Sequence, residues 1–179
     1  MTPAFDPRPP LFAGLGLLLL LGLPMRAWAG NARLEGDYLL MPEASDDVAE
    51  VIDAAEDEMD FIARFLARRR LLHPNPVHWR VGIRFEADTV NLLRHGLPPL
   101  LVPLGGRRVD WVREDGERFK VSCVWEGDVL MQHFVAADGE RQNRYRLSPD
   151  GRALTLEVRI ASPRLRSPLN YRLAYRRLP

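Results

Sequence analysis

The stretch that decides the fold is Arg107–Arg177, RRVDWVREDGERFKVSCVWEGDVLMQHFVAADGERQNRYRLSPDGRALTLEVRIASPRLRSPLNYRLAYRR. Four turn dipeptides punctuate it: Asp115-Gly116, Gly127-Asp128, Asp138-Gly139 and Asp150-Gly151, recurring roughly every 11–12 residues. Asp-Gly supplies the positive φ that tight hairpin turns require. Between the turns lie alternating, β-branched and aromatic runs: Phe119–Trp125, Val129–Val135, Asn143–Leu147, Leu154–Ile160 and finally Tyr171–Tyr175. Short strands at this spacing predict a sequential antiparallel meander.

Strand side chains alternate between two faces, so each run predicts an inner set. That set is Val109, Trp111 and Arg113; Phe119, Val121, Cys123 and Trp125; then Val129, Met131, His133 and Val135. It continues with Asn143, Tyr145 and Leu147; Leu154, Leu156, Val158 and Ile160; and Tyr171, Leu173 and Tyr175. Gln132 and most arginines fall on the outer set. A slip of one residue reverses a strand, and Val129–Val135 is apolar on both parities.

Outward toward the N-terminus, His78–Phe85 alternates, with Trp79, Val81, Ile83 and Phe85 opposite His78, Arg80, Gly82 and Arg84. Ala87–Leu93 follows as its hairpin partner. Gly96–Gly106 is apolar but broken by Pro98, Pro99 and Pro103. Proline removes ladder donors, which predicts an edge strand or a loop. Leu34–Leu40 is a further short strand. Residues 46–70 predict one long helix, with Val48, Val51, Ile52, Ala55, Met59, Ile62, Phe65 and Leu66 on one stripe. Ser45, Asp46 and Asp47 are all competent N-caps, Asp47 and Glu50 have capping-box spacing, and Pro74-Asn75-Pro76 ends the run.

The first 29 residues read as a signal peptide: Arg8, an apolar core at Leu11–Leu23, and Ala27-Trp28-Ala29 before Gly30. That core is 13 residues long, short of the ~20 that span a bilayer. The expected setting is secreted or periplasmic, with residues 30–179 as one domain. Cys123 is the only cysteine, so no disulfide forms within the chain, and in a strand pattern it reads as a small hydrophobe. Arginines gather at Arg64–Arg70 and through residues 141–179, which would draw anions, while acids crowd the early helix. These charges read as solvated faces, and nucleic acid is not an expected partner. Contact with an envelope or membrane surface is a second possible use of them.

His73, His78, His95 and His133 have no metal-ligand spacing. No GxSxG motif or glycine-rich phosphate loop is present, so neither catalysis nor a cofactor is expected. On the alternation above, Arg113, His133, Asn143 and Tyr145 point inward from neighbouring strands, with Trp111, Trp125 and Tyr171 beside them. Polar groups within an apolar interior fix the orientation of a ligand, and Arg113 is the candidate two-pronged partner for a carboxylate.

Sequential strands with one apolar face must roll up or pack on another layer. A mainly β domain follows: a meander barrel or strongly curved sheet of about 8–10 strands with one helix packed on it. Gly36-Asp37-Tyr38 near the start, the meander, and an arginine in the last strand (Arg172 or Arg176) resemble the lipocalin-like, or calycin, superfamily. Tyr145–Leu154 with Pro168–Arg172 and Tyr175–Arg177 resembles the ends of secreted bacterial lipocalin-like proteins. A helical insertion after the first strand is similar to fatty-acid-binding proteins, although a single long helix departs from their helical pair. The resemblance implies binding of a small hydrophobic or amphipathic ligand and names none. The competing expectation is an envelope interaction or chaperone module, a curved sheet without a ligand cavity, like lipoprotein carriers.

Overall fold

A computed structural model describes residues 33–57, 76–94, 97–163 and 165–179. The predicted leader, the second half of the predicted helix, His73 and His95 lie outside the described residues. Ten strands follow in chain order: β1 (Gly36–Leu40), β2 (Arg80–Glu86), β3 (Thr89–Arg94), β4 (Leu100–Pro103), β5 (Val109–Val112), β6 (Arg118–Glu126), β7 (Val129–Ala136), β8 (Gly139–Leu147), β9 (Ala153–Ala161) and β10 (Leu169–Arg177). They form one antiparallel sheet in the order β4-β3-β2-β1-β10-β9-β8-β7-β6-β5. Every neighbour but one is also a neighbour in sequence. The exception, β1 on β10, joins the two ends of the chain and rolls the sheet into a nearly closed barrel.

The proline-rich stretch resolves as an edge strand, β4, and the barrel's seam lies between β4 and β5. The connecting loop is tied across it, since Gly106 N donates to Cys123 O at 2.8 Å. Gly105 and Gly106 both sit at positive φ, 86° and 84°, a conformation that other residues adopt only with strain.

The β1–β10 closure explains the glycine-x-aromatic pattern. Buried Tyr38 donates its hydroxyl to Leu34 O at 2.6 Å. The arginine that covers its ring is Arg177, 5.7 Å from the centroid, rather than Arg172 or Arg176. Alternation decides this: Tyr171, Leu173, Tyr175 and Arg177 share the inner side, while Arg172 and Arg176 face solvent. Arg177 also donates to the carbonyls of Arg33, Glu35 and Gly151. A β-carbon on Gly36 would lie 2.9 Å from Arg177 Nε, so the glycine leaves room for the clamp.

The described part of the helix, α1 (Val48–Asp57), starts where the acids predict. Asp47 Oδ1 accepts from Ala49 N at 2.9 Å, which makes Asp47 the N-cap. Val48 and Ile52 are buried and α1 packs on β10. Ahead of it, Ser45 Oγ accepts from Ala174 N at 2.9 Å and donates to Met41 O at 2.8 Å, while Asp46 Oδ2 accepts from Arg172 N at 2.6 Å. These bonds pin the entry to α1 on β10, at the barrel end where β2 begins and β3 ends.

Candidate functional site

The inner face is set by hairpin geometry. Gly127-Asp128 is a two-residue turn, with Glu126 opposite Val129 and Trp125 opposite Leu130. Residues directly opposite each other share a face, so inward Trp125 places Leu130 inward as well. In β7 the inner set is therefore Leu130, Gln132 and Phe134, all buried. This corrects the expected set of Val129, Met131, His133 and Val135. Across β7–β8, Leu130, Gln132 and Phe134 face Tyr145, Asn143 and Arg141.

A polar cluster lies inside the barrel as a result. Gln132 is 1% exposed, and Asn143 and Tyr145 are each 5% exposed. Asn143 Nδ2 donates to Gln132 Oε1 at 3.0 Å and lies 3.3 Å from Tyr145 Oη. Tyr145 Oη donates to the same Gln132 oxygen at 3.1 Å, and Arg141 Nε donates to Asn143 Oδ1 at 2.8 Å. Gln132 Nε2, though buried, has no hydrogen-bond partner among the described residues.

Arg94 enters from β3, where Val90, Leu92 and Arg94 alternate inward. Its guanidinium lies 5.4 Å from the Trp111 ring centroid. Its Nε and Nη2 are buried and have no hydrogen-bond partner among the described residues. Burial lowers its pKa; the Tyr145 phenol opposes that and Arg141 adds to it. His78, half-buried just before β2, is held down to about 4 by burial, Arg94 and Arg141, in that order. Burial raises the Tyr145 pKa against the pull of both arginines. Two cations, a neutral imidazole and a neutral phenol thus meet at the helix end of the interior.

The predicted site residues separate. Asn143 and Tyr145 lie at the centre of the cluster. Trp111 packs with Phe119 and Phe134 beneath Arg94, at ring distances of 5.5 and 5.8 Å. Tyr171 is buried on the inner side of β10. Trp125 lies inward toward the opposite end, stacked on Phe85 at 6.0 Å, with its Nε1 unpartnered. Two residues leave the set. Arg113 sits at the rim, where Asp115 (2.7 Å) and Glu117 occupy its donors. His133 faces outward, with Nε2 3.0 Å from Glu140 Oε2. Arg94, Gln132, Arg141 and His78 were not predicted. His78 precedes a strand that begins only at Arg80, and Trp79, on the apolar side of the expected alternation, is 63% exposed. Cys123 is buried, and burial pushes its thiol up to about 12, so it stays protonated.

No family model and no curated protein matches this chain. Solved structures do match its fold. One is a secretory abundant heat-soluble protein from Ramazzottius varieornatus, with TM-score 0.56 and 10% identity over 82% of this chain and 96% of that one. Lipid binding protein 8 of Caenorhabditis elegans, in its apo form, gives 0.55 and 12% over 82% and 96%. A Schistosoma mansoni fatty acid binding protein in complex with arachidonic acid gives 0.54 and 15% over 84% and 99%. The fold is that of the lipocalin-like, or calycin, β-barrels.

Proposed function

We propose that the chain is an exported carrier, secreted or periplasmic, that holds a hydrophobic or amphipathic molecule inside its barrel and performs no catalysis. One observation carries this reading. Donors on Arg94, Gln132 and Trp125 are buried toward the interior of the barrel without a partner among the described residues. A buried unsatisfied group costs about 1–3 kcal/mol, a cost that a bound guest would offset. Several proteins that share the fold are lipid or fatty acid binding proteins, and they supply the class of guest.

The test is organic extraction of the purified mature protein followed by mass spectrometry, alongside displacement of an environment-sensitive fluorescent lipid. Stoichiometric lipid, or saturable displacement by a long-chain lipid, is the expected result. A protein that yields no extractable molecule and displaces nothing is the envelope-module alternative. For location, N-terminal sequencing of the exported product should begin at Gly30.

A further inference from the structure

We propose that the outer flank of β8, β9 and β10 is a docking surface for a linear anionic polysaccharide. This surface is on the outside of the barrel and does not depend on what the interior holds. The outward positions of these strands carry five arginines, Arg144, Arg146, Arg159, Arg172 and Arg176, against two carboxylates, Glu140 and Glu157. The whole chain has a formal net charge of only +1, so the flank concentrates positive charge that the rest of the chain offsets. Glu140 and Glu157 stand 3.4 and 3.3 Å from Arg159 and Arg144. Arg146, Arg172 and Arg176 are exposed and have no side-chain partner among the described residues.

The register makes these three arginines the walls of a trough. Arg146 pairs with Thr155, Thr155 with Ala174, and Ala153 with Arg176. Residues directly opposite each other share a face, so Ala153, Thr155 and Ala174 form a floor of short side chains. Arg146 stands on one side of it. Arg172 and Arg176 stand on the other, two strand spacings or about 10 Å away. A chain of anionic sugars laid in the trough meets guanidinium forks from both walls, and each fork takes two oxygens of a sulfate or carboxylate.

Two other polyanions fit this surface less well. A closed barrel of ten strands turns through roughly 36° per strand. The walls on β8 and β10 therefore point about 70° apart, and a flat bilayer cannot meet both. Bilayer-bound surfaces also bury large apolar side chains among the headgroups, and the exposed ones here, Trp79, Leu101, Val112 and Val124, are not on these strands. Single-stranded nucleic acid stacks its bases on aromatic side chains, and no outward position of β8, β9 or β10 is aromatic.

The experiment measures binding of a fluorescent heparin dodecasaccharide by anisotropy across a salt series. Oligothymidylate and phosphatidylglycerol vesicles are the comparison probes. The triple variant Arg146→Gln/Arg172→Gln/Arg176→Gln should bind heparin on the order of tenfold more weakly at low salt, with the dependence of log K on log salt shallower by about two. Arg107→Gln/Arg108→Gln/Arg118→Gln removes the same charge from exposed positions off the flank, and should cost less than about threefold. Thr155→Glu leaves every arginine in place but sets a carboxylate in the floor, and should also weaken heparin; it keeps the test alive should the triple variant fail to fold. Equal losses in the two triple variants would reduce the effect to net charge and overturn the trough. Tighter binding of the vesicles or of oligothymidylate than of heparin would overturn the polysaccharide assignment, and no heparin binding by the parent at low salt would overturn the surface altogether. Lipid displacement should be the same in all of these variants, so the carrier reading stands or falls separately.

Discussion

β7 and β8 carry a polar cluster on each face, and the two are in opposite conditions. Outside, His133 meets Glu140 at 3.0 Å and Arg159 meets the same carboxylate at 3.4 Å, all three partly exposed. Inside, Gln132, Asn143 and Tyr145 are almost wholly buried and bond one another, yet one donor of Gln132 has no partner. Water substitutes for any lost partner on the outer cluster, so its ion pairs contribute little. On the inner cluster every bond is strong and every missing bond is costly. Buried polar groups that a fold retains at a cost are the ones to search for function.

The largest effect should come from the hub of the inner cluster. Asn143 accepts from Arg141 and donates to Gln132. Asn143→Ala removes both bonds from the buried cluster, and should lower stability by about 2–3 kcal/mol. The measure is the urea midpoint at unchanged slope. A loss as small as that of an outer-face variant would mean that water already occupies the interior cluster.

Arg94 should respond in the opposite direction. Its buried edge has no partner among the described residues, so Arg94→Met should raise stability by about 1 kcal/mol. A destabilised variant would show instead that packing on Trp111 is what Arg94 contributes.

His78 gives the pH dependence. Its folded pKa, about 4, lies below the ordinary 6.5 because burial, Arg94 and Arg141 disfavour the imidazolium. Between these values the unfolded chain binds more protons than the folded one. The stability tied to His78 is therefore fully present above pH ~6.5 and is lost as pH falls toward ~4. Melting temperatures of His78→Gln should decline less steeply across that window than those of the parent. Identical acid profiles for parent and variant would place His78 in solvent.

Much of the fold was legible because turn chemistry and alternation are local. Gly127-Asp128 and Asp150-Gly151 mark real turns, and the proline-broken stretch is an edge. The slip in β7 has a clear cause. Val129, Leu130, Met131, Phe134 and Val135 make both of its faces apolar, so periodicity alone cannot choose. The two-residue turn at Gly127-Asp128 could have chosen, because it pairs Trp125 with Leu130 and forbids Trp125 and Val129 from sharing a face. The same slip puts His133 inward and Gln132 outward. Arg94 had a visible signal in the alternation of Val90, Leu92 and Arg94. What no local pattern gives is that Arg94, Trp111, Gln132 and Asn143 converge, since they stand on four strands and only closure of β1 on β10 brings them round. Arg113 illustrates the converse: its inward parity was legible, but its engagement by Asp115 and Glu117 depends on a turn that folds back on it.

The smallest effect belongs to the outer cluster, and it sharpens the contrast because His133 and Glu140 come from the same two strands as the inner cluster. Glu140 bonds both His133 and Arg159 at more than a third side-chain exposure, 37%. Glu140→Gln removes one charge from a site where solvent and salt already screen it. Stability should change by less than about 0.5 kcal/mol. Added salt should shrink even that difference. A loss comparable to that of Asn143→Ala would mean that the outer row holds the β7–β8–β9 register, and position on the strand rather than burial would then set what a polar group contributes.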